Sequence, residues 1–323
     1  MKTVRNTNIH YGFSPLIPPA EYAEAGDLVL FESRDCYDEQ ITEDGMPFSE
    51  LDMARNNPAT GPLYVNGAKP GDILKVHIEK IELVDHGVMC VREGQGVYQI
   101  PGSHCRRFPI KDGYIAFDHG ISLPVDPMIG VIGTSPEQGS VSTQSPGPHG
   151  GNLDINNLRA GSTVYLPVAV EGALLSMGDL HALQGDGETA ICGMEASGNI
   201  TVRIEVLPPN KAIPLPLLED AGYFYTTAAS ESLDECSVAA ARKMHSFLTS
   251  FTDLDDAGAA MLLSLCGNLR ISQVVNPQKG CIMAFPKNIL RIDFGGWNGD
   301  EVYLSGSRWV KNNVKTIVVQ PPS

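Results

Sequence analysis

Through the first 210 residues, hydrophobic and polar positions alternate in short runs, each introduced by a turn dipeptide: Gly26-Asp27 before LVLFE, Gly71-Asp72 before ILKVHIEKIEL, Gly161-Ser162 before TVYLPVAV. A period of two puts Leu74, Val76 and Ile78 on one face and Lys75, His77 and Glu79 on the other, which predicts a strand with one buried face and His77 toward solvent. YIAF (114–117), MIGVIG (128–133), TAICGME (189–195) and NITVRIEVL (199–207) continue the series between clusters of Gly, Pro, Asn and Asp. The pattern predicts an antiparallel β-sandwich or barrel.

The period lengthens after Pro208-Pro209. Ser232-Leu233-Asp234-Glu235 has the form of a capping box, and Ala240, Met244, Phe247 and Phe251 follow along one face of a helix of roughly five turns. A second helix is expected from near Asp253, with Ala257, Met261, Ser264 and Leu265 on one side and Gly267 as a left-handed cap. LRISQVV then reads as a strand ending at Pro277. The fold expected is mainly β: a body over 1–210 that carries the active site, and a smaller C-terminal α+β layer over 211–323.

Composition narrows the function. Hydrophobic residues are 42% and charged residues 19%, and 33 glycines with 23 prolines make a long-helix protein untenable. A net charge of −15 repels phosphate backbones and anionic lipids, so nucleic acid and membrane surfaces are not expected as partners. The first twenty residues hold no apolar run of signal-peptide length, and no stretch reaches about 18 consecutive apolar residues. A cytoplasmic protein is expected. Seven cysteines without a Cys-x-x-Cys pair argue against both a disulfide framework and a thiolate zinc knuckle. No phosphate-binding glycine motif is present, so no nucleotide cofactor is expected, and no Gly-x-Ser-x-Gly elbow supports a serine nucleophile.

The chemistry concentrates in PGPHGGNLD (146–154) and GALLSMGDLHALQGDGE (172–188). His149, Asp154, Asp179, His181, Asp186, Glu188 and Glu195 fall within 47 positions of a chain with eight histidines. Taken singly, each acid is explained by turn chemistry; taken together, imidazole and carboxylates suit a divalent ion, with Zn²⁺, Mn²⁺ or Fe²⁺ ahead of Ca²⁺. Asp179 and His181, two apart, project to one side of an extended segment. Cys36 lies between Asp35 and Asp38, a negative setting that raises a thiol pKa. His10, His86, His104, His119 and His245 read as structural or exposed.

These stretches, with FSPLIPPAEYAEAGD (13–27), NPATGPLYVNGAKPGDILKV (57–76), PMIGVIGTSP (127–136) and LLSLCGNLRISQVVNP (262–277), resemble the acetamidase/formamidase family. The resemblance implies hydrolysis of the carbon–nitrogen bond of short linear amides to a carboxylate and ammonia, on a mostly β architecture that forms a homodimer. The segment Asn288 to Ser323, with Trp297 and Trp309, has no counterpart in it.

Amide hydrolysis needs a strong nucleophile, a stabilised oxyanion and a proton for the departing nitrogen. A metal ion, zinc foremost, meets the first need by lowering the pKa of bound water to about 7. The expected ligands are Asp154, His181 and a further carboxylate, Glu195 or Asp35. Glu188 or His149 would carry the proton, and backbone N–H groups of Gly150-Gly151 or Gly185-Gly187 would form the oxyanion hole. Two alternatives use the same residues: a metal-free route with Cys36 as nucleophile and Glu188 as base, and a non-catalytic protein that only binds a small molecule or an ion.

Overall fold

The computed structural model describes residues 1–290 and Ile292. Trp297 and Trp309 lie outside them. Two large sheets stack face to face. The first has nine strands in the spatial order Lys2–Val4, Leu28–Ser33, Gly198–Leu207, Ile73–Leu83, Thr163–Pro167, Leu217–Glu219, Tyr223–Ser230, Lys279–Pro286 and Asn268–Gln273. The second has twelve, and toward one edge it runs His86–Val91, Met194–Glu195, Leu175–Leu183, Met128–Gly133, Gly150–Asn152 and Pro146–Gly147. Ala59–Val65 also pairs with Leu175–Leu183. Pairing is antiparallel except where Lys2–Val4 meets Leu28–Ser33 and Glu21–Ala23 meets Ala59–Val65. The nine-stranded sheet runs without a break across position 210, since Thr163–Pro167 pairs with Leu217–Glu219.

The predicted alternation sets the core. Val29, Phe31, Leu74, Val76, Ile78, Val164 and Leu166 of the first sheet meet Leu63, Ile129, Ile132, Met177 and Leu180 of the second. Each such side chain, fully withdrawn from water, contributes about 1.5–3 kcal/mol. His77 is half-buried on the outer face, its Nδ1 2.9 Å from Thr163 Oγ1. The strand Lys279–Pro286, next to the far edge of the nine-stranded sheet, is buried on both faces: Ile282 and Ala284 enter the sandwich, while Cys281, Met283 and Phe285 enter a second core under the helices. That accounts for the unbroken apolar run there.

Helix α1 spans Leu233–Phe251, with Ser232 Oγ accepting the Glu235 N–H. The Glu235 carboxylate accepts from Ser230 Oγ instead of closing the box on the Ser232 amide. Cys236, Ala240, Met244, Phe247 and Leu248 are buried, the stripe expected. Helix α2, Asp256–Cys266, departs from expectation. Its buried residues are Ala259 and Leu263, whereas Met261 and Leu265 are exposed. Apolar side chains surround this helix, so periodicity alone picks no face. Gly267 caps it at φ −78°, not left-handed; a Cβ there would lie 2.7 Å from the backbone oxygen of Leu263, so close packing favours the glycine. TAICGME forms strand only at Met194–Glu195, preceded by a turn at Thr189-Ala190 and irregular chain over 191–193. Among the described residues no helix is long and apolar enough to cross a membrane.

Candidate active site

Asp154, Asp179, Glu188 and Glu195 meet around His181 on the face of the twelve-stranded sheet turned away from the sandwich core, while Asp186 stays outside, paired with Arg270. His181 pairs across the ladder with Glu195 on one side and Met128 on the other. Regular alternation would carry Asp179 along with it, but Asp179 has φ +56° within its strand. Asp154 and Glu188, on loops, are also left-handed, at +45° and +46°. Such conformations cost of order 1–3 kcal/mol each and persist only where the surroundings hold them. Gly130 leaves room beneath: a Cβ there would stand 2.5 Å from Asp179 Oδ2 and 2.7 Å from Asp154 Oδ1.

One ligand atom each from Asp154, His181 and Glu188 lies within 4.8 Å of the other two, and Cys36, Asp179 and Glu195 form a second such group. The two groups meet at His181, whose Nε2 is 3.1 Å from Glu195 Oε1 and 3.4 Å from Asp179 Oδ1. Its Nδ1 is 2.8 Å from Gln184 Oε1. Gln184 commits its Nε2 to the carbonyls of Asp154 (2.9 Å) and Ser272 (3.4 Å), leaving Oε1 as the acceptor. The ring proton therefore sits on Nδ1, and Nε2 aims at carboxylates. That arrangement needs positive charge, either a proton on Nε2 or a cation.

Electrostatics agrees. Burial, reinforced by the charge of Asp179, pushes Asp154 up to about 7. Burial pushes Glu195 up to about 8, and burial with the charge of Asp154 holds Glu188 well above the usual range. Burial opposes a charged His181, but Glu195 and Asp179 outweigh it and hold the imidazole pKa well above its ordinary value. Asp154 Oδ1 and Glu195 Oε2 are buried without a hydrogen-bond partner among the described residues. Orphaned oxygens, an oriented imidazole and excess negative charge fit a divalent cation.

Four expected site residues are engaged in other contacts. Asp35 is buried, but its Oδ1 accepts the Tyr37 and Glu39 N–H groups at 2.9 and 3.0 Å, which anchors its own turn. His149 packs edge-on against Phe13, ring centroids 4.9 Å apart, with Nε2 unpartnered. Gly150 and Gly151 belong to a strand hydrogen-bonded to neighbours on both sides. The Gly187 N–H, from the other proposed hole, donates to Ser272 O. Cys36 is closer to the centre than its sequence context suggests, and burial, then Glu195 and Asp179, hold its thiol pKa well above normal. All seven cysteines are free.

Sequence reading missed Gln184 and Asn276, whose Nδ2 donates to Asp154 Oδ2 at 3.0 Å. Gln184 stands three residues beyond His181, but a glutamine in a glycine-rich loop carries no distinguishing signal. Asn276 is 122 positions from its partner.

The sequence model of the Acetamidase/Formamidase family matches residues 2–139 and 135–291. The fold superposes on an acetamidase from Bacillus halodurans with a TM-score of 0.86 at 41% identity, covering 88% of this chain and 97% of that one. A formamidase from Methylophilus methylotrophus is 28% identical over 261 residues, 62% of this chain and 64% of the relative. An acetamidase from Mycolicibacterium smegmatis is 27% identical over 266 residues, 61% and 66% respectively. The chain thus spans a little under two thirds of the length of these curated relatives. Since the matched residues include the whole acid centre and nearly all of the described fold, the chain belongs to the acetamidase/formamidase family.

Proposed function

We propose that the protein hydrolyses short linear amides of the formamide or acetamide class to a carboxylate and ammonia, at the centre formed by Asp154, His181, Glu188 and Glu195. The observation that carries this reading is the buried convergence of Asp154, His181 and Glu188 within 4.8 Å. Family membership supplies the reaction class.

Asp154, His181 and Glu195 would hold a divalent cation, zinc foremost, which when bound supplies the positive charge that polarises a carbonyl and acidifies water. Gln184 keeps the His181 proton on Nδ1, so that Nε2 remains a donor of its lone pair. Glu188 is the proton carrier in this reading. It is 7% exposed against 1% for Asp154, His181 and Glu195, and burial with the charge of Asp154 raises its pKa, which favours a carboxyl that holds a proton and passes it on. Water oxygen adds to the carbonyl carbon while Glu188 takes the water proton. The C–N bond then breaks with its electron pair on nitrogen, and Glu188 returns the proton there, releasing ammonia.

The test is ammonia release from a panel of small amides by purified protein, before and after exhaustive chelation and after return of Zn²⁺. Turnover lost on chelation and restored by the ion is the expected result. Full turnover in chelated protein removes the cation from the account. Zn²⁺ binding with no ammonia from any amide replaces the enzyme with a binding protein.

A further inference from the structure

The loops carrying Asp154 and Glu188 are tied to one stretch of chain, 270–276, and every second residue does the tying. Arg270 donates from Nε to Asp186 Oδ2 (2.7 Å) and from Nη2 to Asp186 Oδ1 (2.8 Å). The same guanidinium reaches Asn157 Oδ1 through Nη1 (3.0 Å) and Asn156 Oδ1 through Nη2 (3.1 Å). Ser272 accepts the Gly187 N–H on its carbonyl (3.0 Å) and donates from Oγ to Leu153 O (3.2 Å). The Val274 N–H donates to Gly187 O (3.0 Å), and Asn276 holds Asp154 itself. Asp186 stands two residues before Glu188 and Asn156 two after Asp154, so a single planar fork spans both loops.

We propose that Arg270 is a positioning residue: by clamping Asp186 to Asn156 and Asn157 it sets the separation of Asp154 from Glu188, and the grip of the centre on a divalent cation depends on it. The physical need is clear. Two carboxyl side chains meet within 4.8 Å from backbones in the left-handed region, and strain, joined by repulsion whenever both ionise, drives the loops apart unless something outside the centre holds them. A guanidinium bonds two planar acceptors at fixed angles, which a lysine ammonium cannot reproduce. An isolated ion pair this exposed contributes little, but here the fork belongs to a network of four side chains backed by the main-chain bonds of Ser272 and Val274.

The cation part of this inference rests on the function proposed above; the clamp itself does not, and the experiment separates them. Arg270→Gln, Arg270→Lys and Asp186→Asn are compared with wild type and with Arg203→Gln, which removes a pair to Glu79 on the outer face of the nine-stranded sheet, away from the centre. Amide hydrogen exchange is followed in the peptides covering 185–188 and 272–276, and Zn²⁺ affinity by competition with a chelator. Arg270→Gln is expected to speed exchange at 185–188 about tenfold or more and to weaken Zn²⁺ binding by roughly 10–100-fold, the range for groups that orient ligands. Arg270→Lys follows Gln rather than wild type, and Arg203→Gln changes neither readout. Exchange and Zn²⁺ affinity within twofold of wild type in Arg270→Gln would overturn the proposal; if that variant does not fold, Asp186→Asn decides it by the same criteria. A wild-type protein that binds no Zn²⁺ and releases no ammonia overturns the function and the cation part together, and the exchange comparison then decides the clamp.

Discussion

Two buried polar clusters of this protein answer the same desolvation in opposite ways. Around His181 the neighbours are carboxyl groups, and the imidazole is held in its charged form. Around Phe13 the neighbours are aromatic: His10 and His149 both stand edge-on to its ring, and His10 shares a bond with Ser176 Oγ. There burial pushes both imidazoles down to about 4 and they stay neutral. Both clusters contain unpartnered polar atoms. What separates them is the sign of the unmet need: the first lacks positive charge, the second only hydrogen-bond partners. Histidine burial is therefore no guide to a site, and the company of the histidine is.

Substitution tests this contrast most harshly. Asp154→Ala and His181→Ala should each cut ammonia release by about a thousandfold or more, whereas His149→Phe should cost less than about tenfold. An equal loss in His149→Phe would merge the two clusters into one site. Glu188→Gln comes next, with kcat lowered by roughly 10²–10⁴-fold and bound Zn²⁺ retained on metal analysis. Loss of the ion along with activity would make Glu188 a ligand instead.

The pH dependence of thermal unfolding sharpens the comparison. In chelated protein Asp154 and Glu195 titrate at about 7 and about 8, above the ~4 of unfolded carboxyls, so the stability they contribute is complete below ~4 and drains as pH rises from there through 7–8. His10 and His149, depressed to about 4, contribute stability above ~6.5 that is lost as pH falls toward 4. Between about pH 4 and 6.5 the two contributions oppose each other, and above ~6.5 only the carboxyl loss continues, so melting temperature should change little across the first window and fall from about 6.5 to 8. Zn²⁺ should flatten the fall above about pH 6.5, and His149→Phe, which removes one opposing histidine contribution, should make the fall begin nearer about pH 4. The smallest effect belongs to Cys36→Ser, expected to leave turnover within about threefold because a thiol held protonated is a poor nucleophile. Abolished activity there, insensitive to chelators, would establish the covalent route.

Much of this architecture could be read from residue order because its signals are local. The period-two run at 73–83 and the capping residues of α1 depend on neighbours a few positions away. The density of acids and imidazoles at 149–195 pointed to the centre for the same reason. Assigning members to it required backbone direction, which residue type does not encode. The left-handed turns at Asp154, Asp179 and Glu188 aim side chains where alternation would not, while Asp35 and His149, equally suggestive as letters, are taken up by a turn and an aromatic ring. Arg270 and Asn276 reach their partners across more than 80 positions, beyond any periodicity. The buried side of α2 was hidden by the uniformity of its side chains.

The strand Lys279–Pro286 acts as a party wall. Because successive side chains fill two separate compartments, Ile282 and Ala284 on one side and Met283 and Phe285 on the other, a bulge raised in either room dents its neighbour. Remodelling the helical annexe without touching the sandwich is thereby closed off, and any engineered enlargement must be planned for both rooms at once.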